Sequence, residues 1–163
     1  MEGGGAVPAL RDIPIEIRPY VPEDFAALCR VHDAARRVEL ELAGLSPAFV
    51  PLCLAAEREG LFRYRVYVAE YGGAVAGFVA FSAEELAWLY VDPALARRGI
   101  GSRLAAFALG QMEVRATVEV LLGNAPALAL YARLGFVPLA VQAGVMPGNE
   151  AFPVQVHVLG RGR

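Results

Sequence analysis

A chain of 163 residues, 56% apolar and 20% charged, suffices for one domain whose core buries about two thirds of the unfolded surface. Its 17 acids face 15 arginines and no lysine, and the net charge of -2 excludes a general attraction to nucleic acid or anionic membrane. Without lysine the chain also lacks a nucleotide-triphosphate loop, which needs one directly after its glycines.

Residues 1–12, with Gly3-Gly4-Gly5, read as a flexible leader, and 13–163 as a single domain without repeats. No basic segment followed by an apolar one opens the chain, and Pro, Gly, Gln and Ser interrupt every apolar stretch short of the ~20 residues of a membrane span. The expected location is the cytoplasm, with Cys29 and Cys53 as free, reduced thiols in apolar helical contexts.

In chain order, 13–18 alternates as a strand, and 24–43 reads as a helix stopped by Gly44. Ser46-Pro47 supplies a cap and a first-turn proline for a second helix ending near Gly60. Strands over 65–71 and 74–81 flank the Gly72-Gly73 turn, and another runs over 85–91. A helix over 102–112, a strand over 114–122 and a helix from Asn124 to Gly135 follow. The last strands, 136–143 and 153–159, enclose Pro147-Gly148-Asn149. This order predicts a mixed α/β sheet.

Chemistry concentrates where Leu89-Tyr90-Val91-Asp92-Pro93 leads through Arg97-Arg98-Gly99-Ile100-Gly101-Ser102. An apolar strand here runs through a short arginine- and glycine-bearing loop into a helix. Gly99 and Gly101 let backbone approach a ligand closely, the first helical turn offers unpaired N–H groups, and Arg97 and Arg98 add charged donors for phosphate. Such a loop also serves as a plain cap or joint. A dinucleotide fingerprint would need a third glycine soon after the second, yet the next is Gly110. A second segment, Asn124, Ala127, Tyr131 and Gly135-Phe136, puts Ala127, Tyr131 and Leu134 on one helix face.

With both segments in this order, separated by a helix and a strand, the chain resembles the GCN5-related N-acetyltransferase superfamily over roughly residues 15–158. The resemblance implies a mostly antiparallel central sheet flanked by helices. It also implies transfer of an acetyl group from acetyl-CoA to a primary amine, by direct attack in a ternary complex. Tyr90, Val91, Arg97, Arg98, Gly99, Ile100, Gly101, Ser102, Asn124 and Ala127 would then hold the coenzyme, whose pantetheine arm enters between splayed strands over 85–91 and 114–122. Ala96 departs from the family's usual Gln or Arg and leaves the pyrophosphate to backbone N–H groups and the two arginines.

Two side chains are candidates for catalysis. Tyr131 matches the family tyrosine that protonates the departing thiolate, although a core aromatic with its hydroxyl at the surface would look the same. Glu85 lies where some members carry a general base; it would equally suit a solvated carboxylate at a strand start. For the oxyanion the resemblance implies a backbone N–H over 89–91 rather than a side chain. His32 and His157 lack an evident carboxylate partner and read as structural or surface residues, and no ligand spacing suggests a metal. The acceptor side, about 38–51 with 144–152, leaves open a polyamine or aminoglycoside-like amine, an amino acid or its amide, and a peptide amine. A non-catalytic acyl-CoA-binding sensor or interaction module on the same fold is the alternative. A homodimer is expected through the edge of strand 153–159.

Overall fold

The computed structural model describes residues 13–112 and 115–162. The expected leader over 1–12 and the expected strand start at Val114 lie outside them. Four strands, β1 (Ile15–Pro19), β2 (Arg65–Tyr71), β3 (Ala74–Phe81) and β4 (Leu86–Val91), form an antiparallel sheet in that order. A second antiparallel sheet holds β5 (Ala116–Leu121), β6 (Val137–Met146) and β7 (Asn149–Arg161), in the order β5-β7-β6. The sheets meet at a parallel bridge between Glu85 and Thr117, where the Thr117 N–H donates to the Glu84 carbonyl at 2.8 Å. The mostly antiparallel α/β architecture expected from the sequence is therefore present.

Four helices, α1 (Phe25–Leu42), α2 (Leu52–Arg58), α3 (Ile100–Gln111) and α4 (Ala125–Arg133), complete the fold. The first sheet is covered on both faces, which explains why β3 reads as unbroken apolar residues rather than an alternation. Ala76, Val79 and Phe81 pack with α3 residues Leu104 and Ala108, whereas Val75, Phe78 and Ala80 pack with Leu28, Val31 and Leu52 of α1 and α2. Pairing of Phe81 with Leu86 and Ala80 with Trp88 leaves Ala87 as a bulge in β4. Leu86 therefore joins the α3 core, and Trp88 joins the α1 core.

Three sequence expectations are corrected. The second helix does not begin at Pro47: Ser46–Ala48 make one 3-10 turn, and α2 starts only after Pro51. The second proline disfavours helical backbone at Val50 and resets the start. The final strands are much longer than expected, meeting in a tight turn at Pro147-Gly148. Finally, β7 is not an edge. It pairs on one side with β5 and on the other with β6, which leaves β6 at the border with Val137, Leu139, Val141 and Val145 exposed. Cys29 and Cys53 are free thiols. No helix among the described residues is long and apolar enough to cross a membrane.

Gly77 sets how closely β3 and β4 approach. A Cβ there would stand 2.8 Å from the Tyr90 carbonyl oxygen and 3.1 Å from Leu104 Cδ1. Backbone on the neighbouring strand has no room to yield, so Gly77→Ala is expected to destabilise the fold by about 1–3 kcal/mol. Denaturant unfolding of the two proteins reads this directly, and equal midpoints would refute the close approach.

Candidate active site

Beyond the Glu85–Thr117 bridge no ladder joins β4 to β5 among the described residues, and a cavity of about 1300 Å³ opens between them. Tyr90, Val91, Arg97, Gly99, Ile100, Gly101 and Ser102 line it from β4 and the loop after it. Asn124, Ala127 and Tyr131 line it from α4, and Glu85 from the closed end. The structure thus brings together every sequence candidate except Arg98.

Arg98 is turned elsewhere: its Nη1 donates to the Tyr71 hydroxyl at 3.1 Å, and its guanidinium lies 5.5 Å from that ring's centre. The phosphate-type cradle is therefore chiefly backbone. Gly99 caps α3 with φ +80°, and a Cβ there would meet nothing within 4 Å. The first helical bond of α3 runs from Arg103 N to Gly99 O at 3.0 Å, leaving the N–H groups of Ile100, Gly101 and Ser102 at the open start of the helix. Arg97, at φ +64°, adopts the left-handed conformation that side chains disfavour by about 1 kcal/mol or more. Asp92 secures the loop: one oxygen accepts from Ala94 N at 3.0 Å, and the other from Arg30 on α1 at 2.8 Å. A pyrophosphate fits this arrangement, because donors face open space and the helix N-terminus favours negative charge.

On the α4 side, Asn124 Oδ1 accepts from the Ala127 N–H at 3.2 Å and caps the helix that presents Tyr131. Tyr131 is 5% exposed, with its ring edge-on to Phe136 at 5.3 Å. Its hydroxyl has no hydrogen-bond partner among the described residues, yet no buried polar side-chain atom lacks one. The hydroxyl is therefore open to the cavity. Burial, reinforced by the charge of Glu39, pushes the phenol well above its ordinary pKa and keeps it protonated near neutrality.

The α1 side carries a polar cluster that the sequence reading did not assemble. Arg36 Nη1 donates to Glu39 Oε2 at 2.7 Å, the Tyr90 hydroxyl donates to the same oxygen at 3.3 Å, and Arg36 Nη2 reaches Met146 Sδ at 3.0 Å. Arg36 and Glu39 stand three apart on α1, the spacing that could have flagged an ion pair. Glu59, just past α2, is pushed up to about 7 by burial, with Arg36 opposing and Glu39 and Glu150 adding to the rise. Glu85 accepts a hydrogen bond from the Tyr64 hydroxyl at 3.0 Å. His32 has a carboxylate partner after all: its Nδ1 lies 2.9 Å from Asp33 Oδ1, which also accepts from Leu52 N at 2.9 Å. Burial lowers the His32 pKa despite Asp33, so the ring is a neutral packing group against Trp88 and Tyr90 of β4 rather than a base. Among the described residues no cluster of His, Cys, Asp and Glu is arranged to hold a metal ion.

A family model described as an acetyltransferase (GNAT) domain matches residues 62–138. Among solved structures, a GCN5-related N-acetyltransferase from Rhodopseudomonas palustris aligns at TM-score 0.73 and 20% identity, over 91% of this chain and 95% of its own. A Salmonella typhimurium protein assigned as an acetyltransferase and solved with its cofactor acetyl-CoA aligns at TM-score 0.64 and 20% identity, over 91% and 93%. The ribosomal-protein-alanine N-acetyltransferase of Brucella melitensis aligns at TM-score 0.66 and 21% identity, over 91% and 99%. No curated protein gave a significant match. The chain thus has the fold of the GCN5-related N-acetyltransferases, and its residues 62–138 match their domain model.

Proposed function

We propose that the protein transfers an acetyl group from acetyl-CoA to a primary amine by direct attack in a ternary complex. The observation that carries this reading is a single cavity with open helix N–H groups at one end, the Tyr131 hydroxyl in its wall and carboxylates facing it from the α1 side. The N–H groups of Ile100, Gly101 and Ser102, with Arg97 beside them, hold the pyrophosphate, while the parted edges of β4 and β5 receive the pantetheine arm. Backbone N–H over 89–91 stabilises the oxyanion that forms as the amine attacks the thioester carbonyl. Tyr131 gives its proton to sulfur as the carbon–sulfur bond breaks. A carboxylate must take a proton from the amine, and Glu85 is the candidate that the family resemblance selects.

The two free thiols support a cytoplasmic site of action. We also propose a homodimer, but through β6 rather than β7. This ten-residue edge carries no charged side chain, and only Pro138 interrupts its unpaired N–H groups. Light scattering at tens of micromolar should give twice the 17.4 kDa chain mass, whereas a constant monomer mass across the series would reject the pairing.

Calorimetry should detect acetyl-CoA binding. Thiol release should then follow with at least one amine from a panel of putrescine, kanamycin, alanine amide and an alanine-terminated peptide. Tyr131→Phe should lower kcat about 100-fold with coenzyme affinity changed less than about twofold. Coenzyme binding without transfer to any amine would favour an acyl-CoA sensor instead.

A further inference from the structure

An alkyl ammonium with a pKa of about 10 attacks a thioester only after losing a proton, so the acetyl-transfer reading, on which this inference rests, needs a proton acceptor beside the thioester. Four carboxylates line the cavity, and they fall into two groups. Glu85 and Glu119 act on Tyr64, and Glu85 sits at the bridge where β4 and β5 close together. Glu39 and Glu59 lie at the other group, around Tyr90 and Arg36. The phenol of Tyr131 marks where sulfur leaves, and Glu39 is the charge that acts on it. Glu39 acts on Glu59 as well, so it links the leaving-group site to Glu59.

The two members of this pair differ in what already occupies them. One oxygen of Glu39 holds both Arg36 and the Tyr90 hydroxyl, which fixes that carboxylate in place and leaves its other oxygen for an incoming ammonium. The side chain of Glu59 makes no hydrogen bond or ion pair among the described residues, although the residue is half-buried and lines the cavity. Its surroundings are Arg36 and Glu39 from α1, Tyr90 from β4 and Glu150 from β7. Gly148 in the β6–β7 turn closes over it, and the neighbouring Arg58 is held away by donating to the Gly148 carbonyl at 3.3 Å. We propose that Glu59, the unpartnered carboxylate of this cavity cluster, is the catalytic base that takes the acceptor's proton, with Glu39 holding the ammonium beside it.

The proton balance closes. The ammonium passes one proton to the Glu59 carboxylate, and the free amine attacks the thioester carbon. As the carbon–nitrogen bond forms and the carbon–sulfur bond breaks, Tyr131 protonates the thiolate. The tyrosinate then recovers a proton from the amide nitrogen, and Glu59 releases its own to solvent. A carboxyl group pushed up to about 7 accepts a proton far more readily than an ordinary glutamate and is still ionised in part at neutral pH.

The test is the pH dependence of kcat/KM, with whichever amine of the panel above reacts fastest. Wild type should show an acid limb with its midpoint near 7, activity falling as the pH drops and Glu59 becomes protonated. Glu59→Gln should lose about 100-fold at neutral pH, keep its acetyl-CoA affinity, and replace the limb by a rise toward the amine's own pKa of about 10. Glu85→Gln and Glu119→Gln should leave the limb at the wild-type midpoint, whatever they do to the rate. A folded Glu59→Gln that retains the limb overturns the assignment while acetyl transfer stands. If Glu59→Gln does not fold, Glu59→Asp replaces it: a drop of about tenfold in kcat supports the role, and an unchanged kcat overturns it. A wild-type protein that acetylates no amine overturns both the reading and this inference.

Discussion

The parting of β4 and β5 is the constraint around which the molecule is organised. Two strands that begin side by side at Glu85 and Thr117 would ordinarily continue as a ladder, with each N–H and carbonyl paired. Here they diverge, and the facing backbone groups of Leu86–Val91 and Ala116–Leu121 are left for water or a ligand. The divergence persists because each strand is held on its far side, β4 by β3 and β5 by β7, while a core shared by both sheets and α3 fixes them relative to each other. The Ala87 bulge adds a local twist and turns Glu85 and Trp88 toward α1 while Leu86 stays with α3. An extended polar chain such as pantetheine matches such a slot, because it offers amide groups to both edges and needs little width.

One helix serves both ends of this slot. Arg30 of α1 grips Asp92 at 2.8 Å and the Val75 carbonyl at 2.9 Å, which steadies the loop leading to Gly99. Over the next two and a half turns or so, His32, Arg36 and Glu39 of the same helix face Tyr90 and the cavity. The helix is anchored by buried Leu28, Val31 and Leu40, and by Asp33, which receives the first N–H of α2. Because its backbone is regular over eighteen residues, movement of one end must shift the other. The loop leading to Gly99 and the Arg36–Glu39 wall of the cavity therefore share one support.

Local signals made most of this legible from the sequence. Gly72-Gly73, both with positive φ, announced a hairpin whose register the structure keeps. Gly99 and Asn124 announced two helix starts, and the side chains quoted around them converge on one cavity. What escaped depends on through-space partners. Nothing adjacent to Arg98 reveals that Tyr71 receives its guanidinium, since the two meet only when α3 packs across β2. Glu59 is likewise an ordinary helix-end acid in one dimension. Its unusual environment comes from α1 and from the turn at Gly148, which is remote in sequence. The edge strand was misplaced for a similar reason: alternation identifies a strand and its faces but is silent on which neighbour lies beside it.

The two walls of the cavity push their ionisable groups in directions that suit opposite proton movements. Tyr131 is surrounded by apolar residues with Glu39 as its charged neighbour, and both influences favour the neutral phenol. A phenol so placed does not lose its proton to bulk solvent, yet it can give one to a thiolate forming beside it, because the new hydrogen bond and proton transfer remove a charge from a dry site. Glu59 also experiences burial, but Arg36 limits the rise and leaves its carboxyl near 7 instead of fully protonated. On the proposed reaction, Glu39 is shared: its negative charge raises both neighbours while it attracts the incoming ammonium. A cationic acceptor entering this cluster would partly cancel that charge and favour the ionised form of Glu59, the form able to take the amine's proton. The arrangement thus ties ionisation of the carboxylate to substrate occupancy, through charges held beside α1 rather than through any movement of the fold.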